Sequence, residues 1–167
     1  MRNSILSVGT LIALLACGGD PAGPPKAPSQ TMSASVDGVT WTAVSISTTP
    51  AEPSSLVIVG TDPGQTLVLL VPLGDGPGTQ VIGGPTPLAA GLTIGAQAWL
   101  ASRTQGGSGT VTLTTATPGH LAGTFELTLA ARDGITPATR RVTSGAFDVT
   151  YRDGPGARYE KNPDNES

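Results

Sequence analysis

The sequence predicts an all-β domain, a single antiparallel β-sandwich or meandering β-barrel of about eight to ten strands. Three observations carry this. Charged residues make up only 13% of the 167-residue chain, while Gly (23) and Pro (15) are frequent, a composition that breaks helices and marks turns. Short Val- and Thr-rich runs lie between those breakers, as strands lie between turns. The C-terminal half alternates apolar and polar residues with a period of two, the signature of a half-buried strand.

Taken in order, residues 1–16 form the first unit. Arg2 supplies one positive charge and Ile5 to Ala16 is an uncharged apolar run. At about twelve residues the run suits a signal-peptide core and is too short to span a bilayer. Leu14, Leu15 and Ala16 precede Cys17, the single cysteine. This pattern resembles the bacterial lipoprotein signal. The resemblance implies cleavage between Ala16 and Cys17, a diacylglycerol on the Cys17 sulfur and acylation of the new amine, with palmitate as a usual chain. The implied partner is the membrane, held through Cys17, because two or more acyl chains anchor stably where one does not. Gly18 stands where an aspartate would favour the inner membrane, so the implied address is the outer membrane of the cell envelope.

Residues 17–31 carry Pro21, Pro24, Pro25 and Pro28 and read as a Pro-rich, disordered tether. Residues 32–151 are the expected β-domain, and residues 152–167 a polar, disordered tail. With Cys17 the sole cysteine, the domain forms no internal disulfide and relies on its core. The formal charge is −3 for the whole chain and one unit more negative without Arg2, which argues against a nucleic-acid partner.

Asp37-Gly38 predicts a two-residue hairpin turn. Pairing outward sets Val36 against Val39, Ala34 against Trp41 and Met32 against Ala43 on one apolar face, with Ser33, Ser35, Thr40 and Thr42 on the other. Strands are then expected over Ser55–Thr61 and Thr66–Val71, joined at Asp62-Pro63-Gly64-Gln65. Their runs Leu56 to Val59 and Leu67 to Val71 are continuously apolar, as for strands buried on both faces or facing a cavity or partner on one. Gly74 to Pro87 reads as loop with a short strand at Thr79–Ile82, and Ala96–Ser102 as a strand carrying Trp99. Gly109–Thr115 places Val111 and Leu113 inward, and after Pro118-Gly119 so are Leu121, Phe125, Leu127 and Leu129. In the last strand, Arg140–Tyr151, Val142 is out of phase with Phe147, Val149 and Tyr151, which predicts a β-bulge near Ser144-Gly145.

The segments Gly109-Thr110-Val111-Thr112-Leu113, Gly123-Thr124-Phe125 and Gly145-Ala146-Phe147, with Asp37-Gly38 and Trp41 near the start, resemble an uncharacterised family of bacterial lipoproteins. The resemblance spans roughly residues 32–151. It implies the fold and the address, and no activity, catalytic residue or cofactor.

No constellation focuses catalytic chemistry. His120 is the single histidine and lies beside a turn, without the neighbours that metal sites gather. Asp62, Asp75 and Asp133 lack the spacing of a calcium loop. No Gly-Xaa-Ser-Xaa-Gly occurs. Glu126 and Asp148 fall on polar strand faces and are the one carboxylate pair that could serve an envelope hydrolase. The expected function is instead a non-catalytic binding or structural role, with no cofactor and no metal. The partner is an envelope protein or a small apolar ligand, for which Trp41 and Trp99 are the candidate contact aromatics.

Overall fold

The computed structural model describes residues 29–51, 54–74, 76–132, 134 and 136–152. The lipobox with Ala16 and Cys17, most of the tether, the tail after Arg152, and Asp75 and Asp133 lie outside the described residues. Eleven antiparallel strands are present, with no helix among the described residues. They are β1 Thr31–Val36, β2 Val39–Thr42, β3 Ser45–Ala51, β4 Ser55–Thr61, β5 Gln65–Pro72, β6 Gly78–Val81, β7 Ala89–Ile94, β8 Gln97–Ala101, β9 Ser108–Thr117, β10 His120–Ala131 and β11 Thr139–Thr150.

All join one sheet in the order β2-β1-β11-β10-β8-β7-β5-β4-β3. Strand β10 has two partners on one edge. Residues 120–128 pair with β9, which carries β6 beyond it, and Ala130 and Ala131 pair with β8. The sheet curls into a half-barrel because the chain at Ala43-Val44 changes partner. The Ala43 N–H donates to Met32 O (2.9 Å) and the Val44 N–H to Thr61 O (2.8 Å). One strand thus leaves β1 and joins β4, and β3 and β4 fold back over the first hairpin. Gly60 on β4 makes the approach possible: a Cβ there would lie 2.7 Å from Met32 Sδ and 2.8 Å from the Trp41 ring.

The first hairpin has the expected register, with Val36 opposite Val39, Ala34 opposite Trp41 and Ser33 opposite Thr42. Asp37 (φ 50°) and Gly38 (φ 86°) occupy the left-handed region that a type I′ turn requires. Val39 departs from expectation. It shares a face with Val36, but it sits at the hairpin tip, past the rim of the core, and is 67% exposed. Gly38→Val is expected to lower stability by roughly 1–2 kcal/mol, the penalty for a side chain at positive φ. A urea midpoint that does not move would refute this turn conformation.

The expected bulge is present. Phe125 pairs with Gly145 and Leu127 with Val142, so Thr143 and Ser144 together face Glu126 alone. The same irregularity appears against β1, where Ser33 faces Ala146 and Ser35 faces Thr143. Ser144 takes φ 51°, and the extra residue lets Val142 and Phe147 both point inward, at 0% and 3% exposure.

The core fills the concave side. Leu56, Ile58, Leu67, Leu69, Leu92, Trp99, Val111, Leu121, Leu129 and Val149 are almost wholly excluded from solvent. The strand count exceeds the expected range because β3 and β7 are strands that the sequence pattern does not announce.

Two surfaces and the candidate contact site

The curl leaves two outer faces of different chemistry. The outer face of β2-β1-β11-β10-β9-β6 is polar. One row runs Thr79, Thr112, Thr124, Ala146, Ser33, Thr42 across six strands, with 2.9 Å between the Thr79 and Thr112 hydroxyl oxygens. The next row places Glu126 beside Thr110 and opposite the Thr143-Ser144 bulge. Two shallow grooves share Glu126 and Thr110. One, of about 320 Å³, extends to Thr112, Thr124 and Ser144. The other, of about 520 Å³, extends to Val81, Thr128 and Arg141. This region offers one carboxylate, one guanidinium and several hydroxyls, a set suited to reversible polar contact.

Glu126 and Asp148 do not converge. Asp148 pairs in register with Ala122, four residues along β10 from Glu126. At about 3.4 Å per residue that separates them by roughly 14 Å, beyond the spacing of about 5–10 Å used by paired carboxylates in glycoside hydrolysis. Asp148 is instead bonded to His120, with 2.9 Å from His120 Nε2 to Asp148 Oδ1. Both side chains are well exposed, at 40% and 57%, and exposed ion pairs contribute little. No group of three or more His, Cys, Asp or Glu side chains assembles a metal site among the described residues. Asp62 is used locally: its Oδ1 accepts the N–H groups of Gly64 and Gln65, both at 2.7 Å, and holds the β4–β5 turn.

Trp41 and Trp99 both lie in the core, at 2% and 0% exposure. Trp41 packs against Gly60, and its Nε1–H meets no acceptor among the described residues. Trp99 is tied on both sides. Its Nε1–H donates to Pro137 O (2.8 Å) and the Arg140 guanidinium lies 4.6 Å from its ring centroid. Arg140 Nη1 also donates to Asp37 Oδ2 (2.6 Å), and Asp37 Oδ1 accepts the Arg141 N–H (2.8 Å). This chain of contacts locks the β1–β2 turn to β11 and to β8. Sequence reasoning misses it because Asp37 and Arg140 are 103 residues apart and no local pattern links them.

Burial raises the Asp37 pKa, but the Arg140 and Arg141 hydrogen bonds and the Arg140 charge outweigh it, so the carboxyl titrates below its ordinary 3.8. A depressed carboxyl contributes stability that is present above the unfolded value and lost as pH falls through the folded one. Wild type is therefore expected to lose stability below about pH 4 more steeply than Asp37→Asn. Parallel slopes in urea melts taken between pH 5 and pH 2 would contradict this. The difference is small, because the carboxylate is 35% exposed and solvent screens it.

The other outer face, on β3-β4-β5-β7-β8, has no ionisable residue in any of its strands. Val57, Val59, Val68, Leu70 and Leu100 are half-buried there. The continuous apolar runs of β4 and β5 thus split: Leu56, Ile58, Leu67, Leu69 and Val71 enter the core, and the alternate residues form this second, outward face. Compared with known proteins, residues 28–150 match the model of a family described as Domain of unknown function (DUF6252). No curated protein and no solved structure matches the chain.

Proposed function

The chain belongs to the DUF6252 family, and on that premise we propose that it is a lipid-anchored lipoprotein of the bacterial cell envelope whose β-domain binds or contacts a partner without catalysis. The anchor is Cys17, after cleavage at Ala16, and the address is the outer membrane. What supports the contact role is the outer surface. It has a polar face centred on Glu126 and a charge-free face centred on Val68, while the one candidate carboxylate pair is held far apart by strand register. The partner in keeping with this is an envelope protein on an outer face; Trp41 and Trp99, at 2% and 0% exposure in the core, offer no surface to a small apolar ligand.

Two expected outcomes test this reading. Wild type incorporates labelled palmitate and partitions with membranes, and Cys17→Ala loses the label; equal labelling of both refutes the anchor. Glu126→Gln combined with Asp148→Asn folds with wild-type stability, because both side chains are solvent-facing. If wild type hydrolyses a glycan or ester substrate and this double variant does not, the non-catalytic role fails and a hydrolase takes its place.

A further inference from the structure

We infer that the adjoining grooves beside Glu126 and Arg141, on the outer face of β9, β10 and β11, bind a short peptide zwitterion, with its ammonium on Glu126 and its carboxylate on Arg141. The inference deepens the binding role proposed above by naming a ligand for the polar face, and it does not depend on the anchor.

Register places the two charges. Val81, Thr110 and Glu126 form one row across β6, β9 and β10, and the Thr143-Ser144 bulge continues it on β11. Ser108, Thr128 and Arg141 form the next row. Glu126 and Arg141 are therefore diagonal neighbours on adjacent strands, about 7–8 Å apart at the backbone. Both are exposed, and they line the same groove. They do not bond to each other. Among the described residues neither side chain has a hydrogen bond or an ion pair, and only the backbone N–H of Arg141 is engaged, by Asp37. Glu126 has hydroxyl residues on both flanks in place of a base, and Arg141 faces Thr128 in place of an acid.

The bulge is a second observation. Its extra residue brings Val142 and Phe147 inward together, and a glycine at 144 would do this without the strain of a side chain at φ 51°. The chain carries serine there, and Ser144 lines the groove with Thr110 and Glu126. Strained residues and bulges concentrate at ligand sites.

Charge and spacing identify the ligand. A simple anion meets repulsion from Glu126. A simple cation finds one carboxylate, with no cluster of metal-ligating side chains among the described residues. A neutral sugar leaves both charges unmatched. A zwitterion uses both, and a guanidinium suits the planar, two-pronged grip of a carboxylate. The termini of an extended dipeptide lie about 7 Å apart, close to the diagonal spacing, whereas the charges of a single amino acid are too near each other to reach both residues. Val81, 51% exposed on the groove wall, offers apolar contact to a small side chain. The groove of about 520 Å³ is within the range of small-ligand sites. It is shallow, so binding is weak, with Kd on the order of 1 mM for so few atoms.

The test is an NMR titration of the isotope-labelled full chain in detergent micelles. The probes are Ala-Ala, its N-acetyl form, its C-terminal amide, free alanine and a neutral disaccharide. Ala-Ala is expected to shift the amides of Thr110, Glu126, Thr128 and Arg141 saturably. Each blocked form, and free alanine, is expected to bind about fivefold more weakly, the upper end for one exposed ion pair. Glu126→Gln is expected to bind Ala-Ala and its N-acetyl form alike, and Arg141→Gln to bind Ala-Ala and its amide alike. Because the blocked peptides test each charge on wild type, the result does not hang on the variants folding. Binding of the disaccharide as tightly as Ala-Ala, or binding of Ala-Ala that blocking either end leaves unchanged, overturns the inference. The bound peptide is then recovered for mass spectrometry. Intact peptide upholds both the site and the non-catalytic role. Cleaved peptide upholds the site and overturns that role. Absence of binding overturns the site alone, since an envelope protein can still contact the outer faces.

Discussion

Replacing Gly145 with alanine is expected to destabilise the domain by about 3 kcal/mol, at the upper end for overpacking a filled core. The reason is a cross-strand interlock. Gly145 on β11 lies opposite Phe125, and Gly123 on β10 lies opposite Phe147. Each glycine leaves room for the other motif's ring. A Cβ on Gly145 would collide with three atoms of the Phe125 ring, and one on Gly123 would fall 3.2 Å from Phe147 Cζ and closer still to Thr112 O. The two rings sit 6.3 Å apart at 30°, within the range of favourable aromatic pairs. Both phenylalanines are buried, at 2% and 3% exposure, so neither can swing into solvent. The measurement is a double-mutant cycle in urea. Phe125→Leu alone opens space and lowers stability, while on Gly145→Ala it relieves the clash, so the two changes together are expected to be far less than additive. Additive losses would mean that the ring and the missing side chain do not share this space.

The interlock explains why Gly-Thr-Phe and Gly-Ala-Phe carry so much of the fold's legibility. Each motif places a large and an absent side chain on the inward phase two residues apart, and antiparallel pairing brings large against absent. The hairpin at Asp37-Gly38 was legible for a related reason: turn chemistry and face pattern agree on one register. Strand β3 was not legible, because Ser45 to Ala51 reads Ser-Ile-Ser-Thr-Thr-Pro-Ala and has little apolar content to alternate. It is an edge strand in the sheet, where Pro is tolerated. Strand β7, Ala-Ala-Gly-Leu-Thr-Ile, opens on three weak β-formers, Ala89, Ala90 and Gly91. It exists because β5 and β8 pair with it on both sides.

The surface was less legible than the core. The polar phase of Glu126 and Asp148 follows from alternation, but their separation depends on the β10–β11 register, which no local signal sets. The partner of His120, 28 residues away, is hidden for the same reason. The apolar runs Leu56 to Val59 and Leu67 to Val71 did announce two apolar faces. They could not announce that one of those faces would be left outward, since that follows from how far the sheet curls.

Trp99→Ala is expected to have the largest effect of any single substitution proposed, a loss of about 3–5 kcal/mol. Trp99 is wholly buried and lies where β8 meets the far end of β10, through pairing with Ala131. Removing it leaves a cavity at the junction that carries the β8-β7-β5-β4-β3 half of the sheet. Two further contacts go with it: Pro137 O loses its donor, and Arg140 loses the ring beneath its guanidinium. Arg140 also holds Asp37, so the damage is expected to reach the first hairpin. Trp99→Phe separates these contributions. It keeps most of the apolar volume and an aromatic face for Arg140 but donates no hydrogen bond to Pro137, and is expected to lose roughly 1–3 kcal/mol. In hydrogen exchange, Trp99→Ala is expected to weaken protection at Arg141, whose N–H is bonded to Asp37 Oδ1, and Trp99→Phe to leave it near wild type. If both variants unfold at the wild-type urea midpoint, Trp99 does not hold the two halves of the sheet together.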